Sequence, residues 1–169
     1  LSGKSETSPP PQAIEALGRE LRSGAVSAVE IVDDCLRHIE TSNATLNAFI
    51  LTMGDVARQQ ASQADDELRA GRDRGPLHGL PISRKDLIDI EGRRTTAASR
   101  VRAHHVAARD APVVSHLREA GAVIIGKTNL HEFAFGTTNE DSGFGPARHP
   151  LDPLRSPGGS SGGSGSHLL

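Results

Sequence analysis

Apolar residues recur along the chain at two spacings, and the spacing sorts them into elements. Ile14, Leu17 and Leu21 follow one another at helical intervals with Gly24 placed as a C-terminal cap, which predicts a helix from about Gln12 to Ser23. Ser27 and Glu30 have the spacing of a capping box, in which each side chain satisfies the other residue's backbone donor. A second helix follows, with Val29, Val32, Leu36 and Ile39 on one face and Asn43 expected to break it. Leu46 to Thr52 reads as a strand. A third helix is predicted from about Asp55 to Ala70, with Val56, Ala57, Ala61, Ala64 and Leu68 inward and Gly71 as its stop. Residues 71–79 form a polar loop, and Leu80 to Ser83 a short buried strand. Asp110 is predicted to cap a helix reaching Ala120, with Val113, Val114 and Leu117 as its apolar stripe. Gly121 ends it, and Ala122 to Ile125 is a compact apolar run expected to be a buried strand.

Helices alternating with short apolar strands predict an α/β layered fold. Beyond Gly136 the periodicity fades. Residues 137–166 are rich in Gly, Ser, Pro and Asn and are expected to form an extended loop system, a kind of segment that is usually functional or disordered. Residues 1–11 are polar and end in three prolines. They are expected to be a disordered lead-in, with residues 12–169 forming one domain.

Composition narrows the function classes. Aromatic residues make up 2% of the chain, with no Trp or Tyr, so the core must come from Val, Ile, Leu and Ala. That content also removes the usual stacking platforms for nucleic-acid bases. A net charge of −2 supplies no bulk attraction to nucleic acid or anionic membrane, so neither is expected as a direct partner. Cys35 is the one cysteine, which precludes an intrachain disulfide and fits a reducing compartment; a cytoplasmic location is the expectation. No apolar run approaches the length of a membrane span, and residues 1–12 contain no apolar signal region. The first residue is Leu1 rather than Met, which suggests a fragment.

Four stretches carry candidate chemistry. Gly121 to Thr128 satisfies the letters GxxxxGK[ST] of a phosphate-binding loop. The intervening Ala122, Val123, Ile124 and Ile125 favour a buried strand over a loop that curls around phosphate, and a helix stands where the strand should precede. The eight histidines contain no HxxxH or HExxH pair, so no metal site is expected. The run from Ser156 to Ser166 (SPGGSSGGSGS) reads either as a flexible linker or as a backbone that approaches a substrate closely, presenting serine hydroxyls from a glycine-rich turn. Lys85 stands near the end of the stretch PLHGLPISRKD. It is either an exposed lysine at a strand end or a buried base. An ordinary lysine titrates near ~10.4, and burial lowers that value by disfavouring the charged form.

The order of these pieces resembles the amidase signature family. GLPISRKD comes first, then RTTAAS from Arg94 to Ser99, then DAPVVSHLREAGAVIIGKTNLHEFAFGTT from Asp110 to Thr138, then SGFGPARHPLDPLRSPGGSSGGS from Ser142 to Ser164. Ser27 to Ile50 is similar to the family's N-terminal helical region. The resemblance implies an α/β fold with a mixed central sheet covered by helices, present here in part. It implies hydrolysis of an amide bond through an acyl-enzyme, by a Ser-cisSer-Lys triad without a cofactor. Lys85 matches the family lysine, and Ser160 the middle serine, whose preceding peptide bond is cis in the family. Gly158, Gly159, Gly162 and Gly163 would let the chain turn sharply there, and Ser161 would support the network by hydrogen bonding. Asn129 and Glu132 are expected to order loops.

The implied partners are a small-molecule amide substrate and either a second copy or the other subunits of a tRNA amidotransferase, whose amidase subunit shares these motifs. A non-catalytic remnant or interaction module is the reading of another class. The sequence departs from the family in one respect. The family nucleophile lies in a GSxxGGS-type loop about two dozen residues beyond the middle serine, and no such loop occurs among these 169 residues. The expectation is a truncated N-terminal portion of one amidase domain, inactive alone, with truncation or a frameshift near Ser166.

Overall fold

The computed structural model describes residues 14–167; the lead-in expected over residues 1–11 and the start of the first predicted helix lie outside them. Helix α1 (Ile14–Ser23) and the longer α2 (Ala28–Leu46) are followed by strand β1 (Phe49–Thr52) and helix α3 (Gly54–Arg69). Strand β2 (Pro81–Lys85), helix α4 (Pro112–Glu119), strand β3 (Val123–Thr128) and the short helix α5 (Gly162–His167) complete the order. The three strands form one mixed sheet in the order β1-β3-β2. Strand β1 runs antiparallel to β3, while β2 runs parallel to it and pairs Lys85 with Thr128.

Side chains of neighbouring strand residues point to opposite faces, and the core divides accordingly. Val123 and Ile125 join Val32, Leu36, Ala57, Ala61, Ala64 and Leu80 in a cluster beneath α2 and α3. Ile124 joins Met53, Ile90 and Val114 in a smaller one. The alanine stripe of α3 is what lets α2 and the sheet approach it closely.

The capping box at Ser27 is present: Ser27 Oγ accepts from Glu30 N at 3.1 Å and Ser27 N donates to a Glu30 carboxylate oxygen at 2.8 Å. A second cap comes from another helix. The buried Asp65 of α3 accepts from Ala28 N at 2.7 Å and Val29 N at 3.2 Å, so two of the orphan donors at the start of α2 are satisfied across the helix pair.

Several expectations are corrected. Asn43 does not break α2. Its amide instead pairs with the Phe49 backbone in both directions, at 3.1 and 2.8 Å, joining the helix end to β1. The left-handed residue at the helix end is Asn47, at φ 48, and the strand expected from Leu46 begins only at Phe49. Asp110 does not cap α4. Ala111 holds that position and Pro112 opens the helix, while the Asp110 carboxylate accepts from Glu91 N at 2.7 Å and pairs with Arg118 at 2.8 Å. Val113 is exposed and Val114 fully buried, so the face of α4 turned to the core centres on Val114 and leaves its sequence neighbour outside. Strand β3 extends three residues past Ile125. Finally, the expected loop over 137–166 contains the start of α5, a helix of composition GGSGSH that no propensity argument would find.

Candidate active site

Lys85 is the last residue of β2, and the sheet register sets it beside Thr128 at the end of β3. Its Nζ lies 2.7 Å from Ser160 Oγ and donates to it. Burial holds the amine below the ordinary lysine range, since a partly desolvated ammonium is disfavoured. Among the described residues Lys85 makes no ion pair, so no carboxylate acts against that effect. Two residues 75 positions apart in sequence therefore form one lysine–hydroxyl pair.

The backbone around Ser160 explains its glycines. The Gly159–Ser160 peptide bond is cis and Gly158 has φ 90. A Cβ on Gly159 would sit 2.8 Å from the Thr137 carbonyl carbon and the Thr138 nitrogen. One on Gly163 would sit 2.6 Å from the Asn129 nitrogen, and one on Gly162 would run into the Asn139 side chain. Such contacts lie well inside normal packing distances. Gly159, Gly162 and Gly163 are thus required by close approach, and the run is a packed turn rather than a linker. The Ser160 carbonyl accepts from His131 N at 2.9 Å, and Gly163 N donates to Asn129 O at 3.0 Å.

Ser161 is placed differently from Ser160. It is exposed, and its carbonyl accepts from Ser164 N and Gly165 N at 3.1 Å in the first turn of α5. Its hydroxyl is not brought into the Lys85–Ser160 pair. Asn129 is fully buried. Its amide donates to Asn47 O at 3.0 Å and Gly145 O at 2.9 Å and accepts from Leu130 N at 2.8 Å and the Ser142 hydroxyl at 2.7 Å. It ties the ends of α2 and β3 to the 142–145 loop. Glu132 opens a 3-10 turn through Ala134.

A second pair went unrecognised in the sequence. Lys127, which supplies the lysine of the phosphate-loop pattern, lies within β3 with its side chain fully buried. Its ammonium donates to Arg94 O and Thr95 Oγ1, both at 2.6 Å, and forms an ion pair with Asp86 Oδ1 at 2.7 Å. The other Asp86 oxygen accepts from Thr96 N at 3.0 Å and from the Thr96 hydroxyl. A phosphate-binding lysine must reach free acceptors, and this one has no donor to spare. The sequence signal was a lysine inside an apolar strand, which demands a buried partner. Among the described residues no group of three or more His, Cys, Asp or Glu could hold a metal.

The edge strand of the mixed sheet thus ends in a lysine whose amine meets a serine hydroxyl on a glycine-built turn. Similarity to known proteins gives the family. The amidase family model matches residues 30–168, and the chain belongs to the amidase family. It is 47% identical over 152 residues to the glutamyl-tRNA(Gln) amidotransferase A-subunit of Aromatoleum aromaticum, covering 90% of this chain and 31% of that protein. It is 44% identical to the Synechococcus protein of the same name, covering 89% and 31%. Among solved structures, the peptide amidase of Stenotrophomonas maltophilia aligns with a TM-score of 0.83 at 35% identity, covering 91% of this chain and 33% of that one. A vestigial protein complex described as revealing the origins of an s-triazine catabolic enzyme aligns at 0.88 and 38%, covering 92% and 34%. The chain thus spans about a third of the length of the relatives it matches. No helix among the described residues is long and apolar enough to cross a membrane.

Proposed function

We propose that this chain supplies the lysine and the middle serine of an amide-hydrolysing triad. The observation that carries this reading is the 2.7 Å Lys85–Ser160 pair, in which burial favours the neutral amine. A neutral Lys85 takes the Ser160 hydroxyl proton along that same line. Ser160 then draws the proton from an attacking serine, whose oxygen adds to the amide carbon and forms an acyl-enzyme. The proton returns by the same route to the leaving nitrogen, and water releases the acyl group. The attacking serine is not one of the residues arranged around Lys85 here, so the 169-residue chain alone is expected to show no turnover. Hydrolysis by the purified chain that disappears in Lys85→Ala would contradict this.

A second reading concerns the substrate. The relatives named above at 44–47% identity are glutamyl-tRNA(Gln) amidotransferase A-subunits, whereas the peptide amidase stands at 35%. This difference favours an amidotransferase component, working with partner subunits, over a free-standing amidase. One chimera tests both readings: residues 12–166 of this chain replace the matching third of the Aromatoleum protein. The proposal expects glutamine hydrolysis by the chimera and a loss on the order of 10³-fold in Lys85→Ala. Activity on small amides but not on glutamine would favour the general amidase. Full activity without Lys85 would overturn the triad.

A further inference from the structure

Two lysines reach the same end of the sheet and meet opposite environments. Lys127 is surrounded by acceptors, while among the described residues Lys85 bonds to Ser160 alone. The difference needs explaining, because Asp86 follows Lys85 directly. A carboxylate free to turn toward Lys85 would hold it in its charged form. Here the Asp86 carboxylate, 1% exposed, is committed elsewhere, to Lys127 and Thr96. The Asp86 backbone is fixed on both sides as well: its N–H donates to Thr128 O at 3.0 Å and its carbonyl accepts from Ala97 N at 2.9 Å. The residue following Lys85 is therefore immobilised at main chain and side chain together.

We infer that Lys127 is a positioning residue for the Lys85–Ser160 pair, neutralising Asp86 so that Lys85 keeps no counter-ion. Burial alone shifts the Lys85 amine, and neither member of the Asp86–Lys127 pair contributes to that shift. The other charges facing Lys127 are Asp89 and Arg102, and its register partner on β2 is Arg84. Asp89 is the one carboxylate among them, and it does not act on Lys85. The inference rests on the reading of Lys85 as a base, yet it is measured without substrate.

The test is competitive labelling of the Lys85 amine with isotopic acetic anhydride over a pH series, read by mass spectrometry. The proteins are the native chain, Lys127→Met, Asp86→Asn and the double variant, each checked for native fold by its amide NMR spectrum. Lys127→Met leaves Asp86 uncompensated, and Lys85 labelling at pH 7 falls about tenfold. Asp86→Asn leaves Lys127 uncompensated, and labelling does not fall. The double variant returns close to the native rate. A Lys85 profile in Lys127→Met identical to the native one, or loss of fold in that variant, would overturn the inference; in the second case the pair is a folding element alone. An ordinary lysine profile in the native chain would instead count against the base itself, so the two failures are distinguishable.

Discussion

At the scale of single residues, what distinguishes this chain is where it accepts no side chain and where it buries charge. Gly163 touches the backbone of Asn129, and a Cβ there would lie 2.6 Å from a main-chain nitrogen. Gly163→Ala is expected to cost about 1–3 kcal/mol in urea unfolding, the range for an overpacked site. Because the same contact seats the turn, it should also move the Ser160 amide resonance. A different residue contributes to the acid limb. Hydrogen bonds from Arg74 and Gln63 hold the Glu67 carboxyl down to about 2 from a usual 4.5. A depressed carboxyl contributes stability that is fully present above the unfolded value and is lost as pH falls toward the folded one. Unfolding midpoints measured from about pH 5 to about pH 2 should decline, and Glu67→Gln should flatten that decline.

At the scale of elements, the chain was legible wherever a local rule sufficed. The capping box at Ser27, the alanine stripe of α3 and the glycine stop at Gly71 need only sequence neighbours, and they stand in the structure as read. The misreadings share one cause: a partner outside the local rule overrode a local preference. Asn43 favours breaking a helix, but its amide is occupied by Phe49. Asp110 favours capping a helix, but Arg118 and the Glu91 backbone hold it instead. Helix α5 forms from glycine and serine because its turn is packed onto Asn129 and Asn139. Asp65 is the clearest case, since nothing in α3 hints that it caps α2. Asp65→Ala leaves the Ala28 and Val29 donors without an acceptor. It should destabilise by about 1–3 kcal/mol, more than Ser27→Ala at about 1 kcal/mol, as thermal unfolding of the two variants would show.

At the scale of the whole molecule, the sheet is what makes the site. Pairing Lys85 with Thr128 brings β2 to the end of β3, and the hydrogen bonds of Asn129 carry that position on to the turn that holds Ser160. Lys85 and Ser160 were both identifiable from their motifs, whereas for the buried Lys127 the apolar strand signals that a partner is needed but no spacing points to Asp86. Family membership and fold are established by the matched sequence and architecture, and the triad is the proposal built on them. That proposal requires an amine which is easily deprotonated. Direct NMR titration of the Lys85 ε-carbon, assigned through Lys85→Arg, measures this in the chain itself. The account predicts a midpoint below the ordinary lysine value, falling further in Ser160→Ala as the ammonium loses its acceptor. A midpoint at the ordinary value near ~10.4, unmoved by Ser160→Ala, would contradict it.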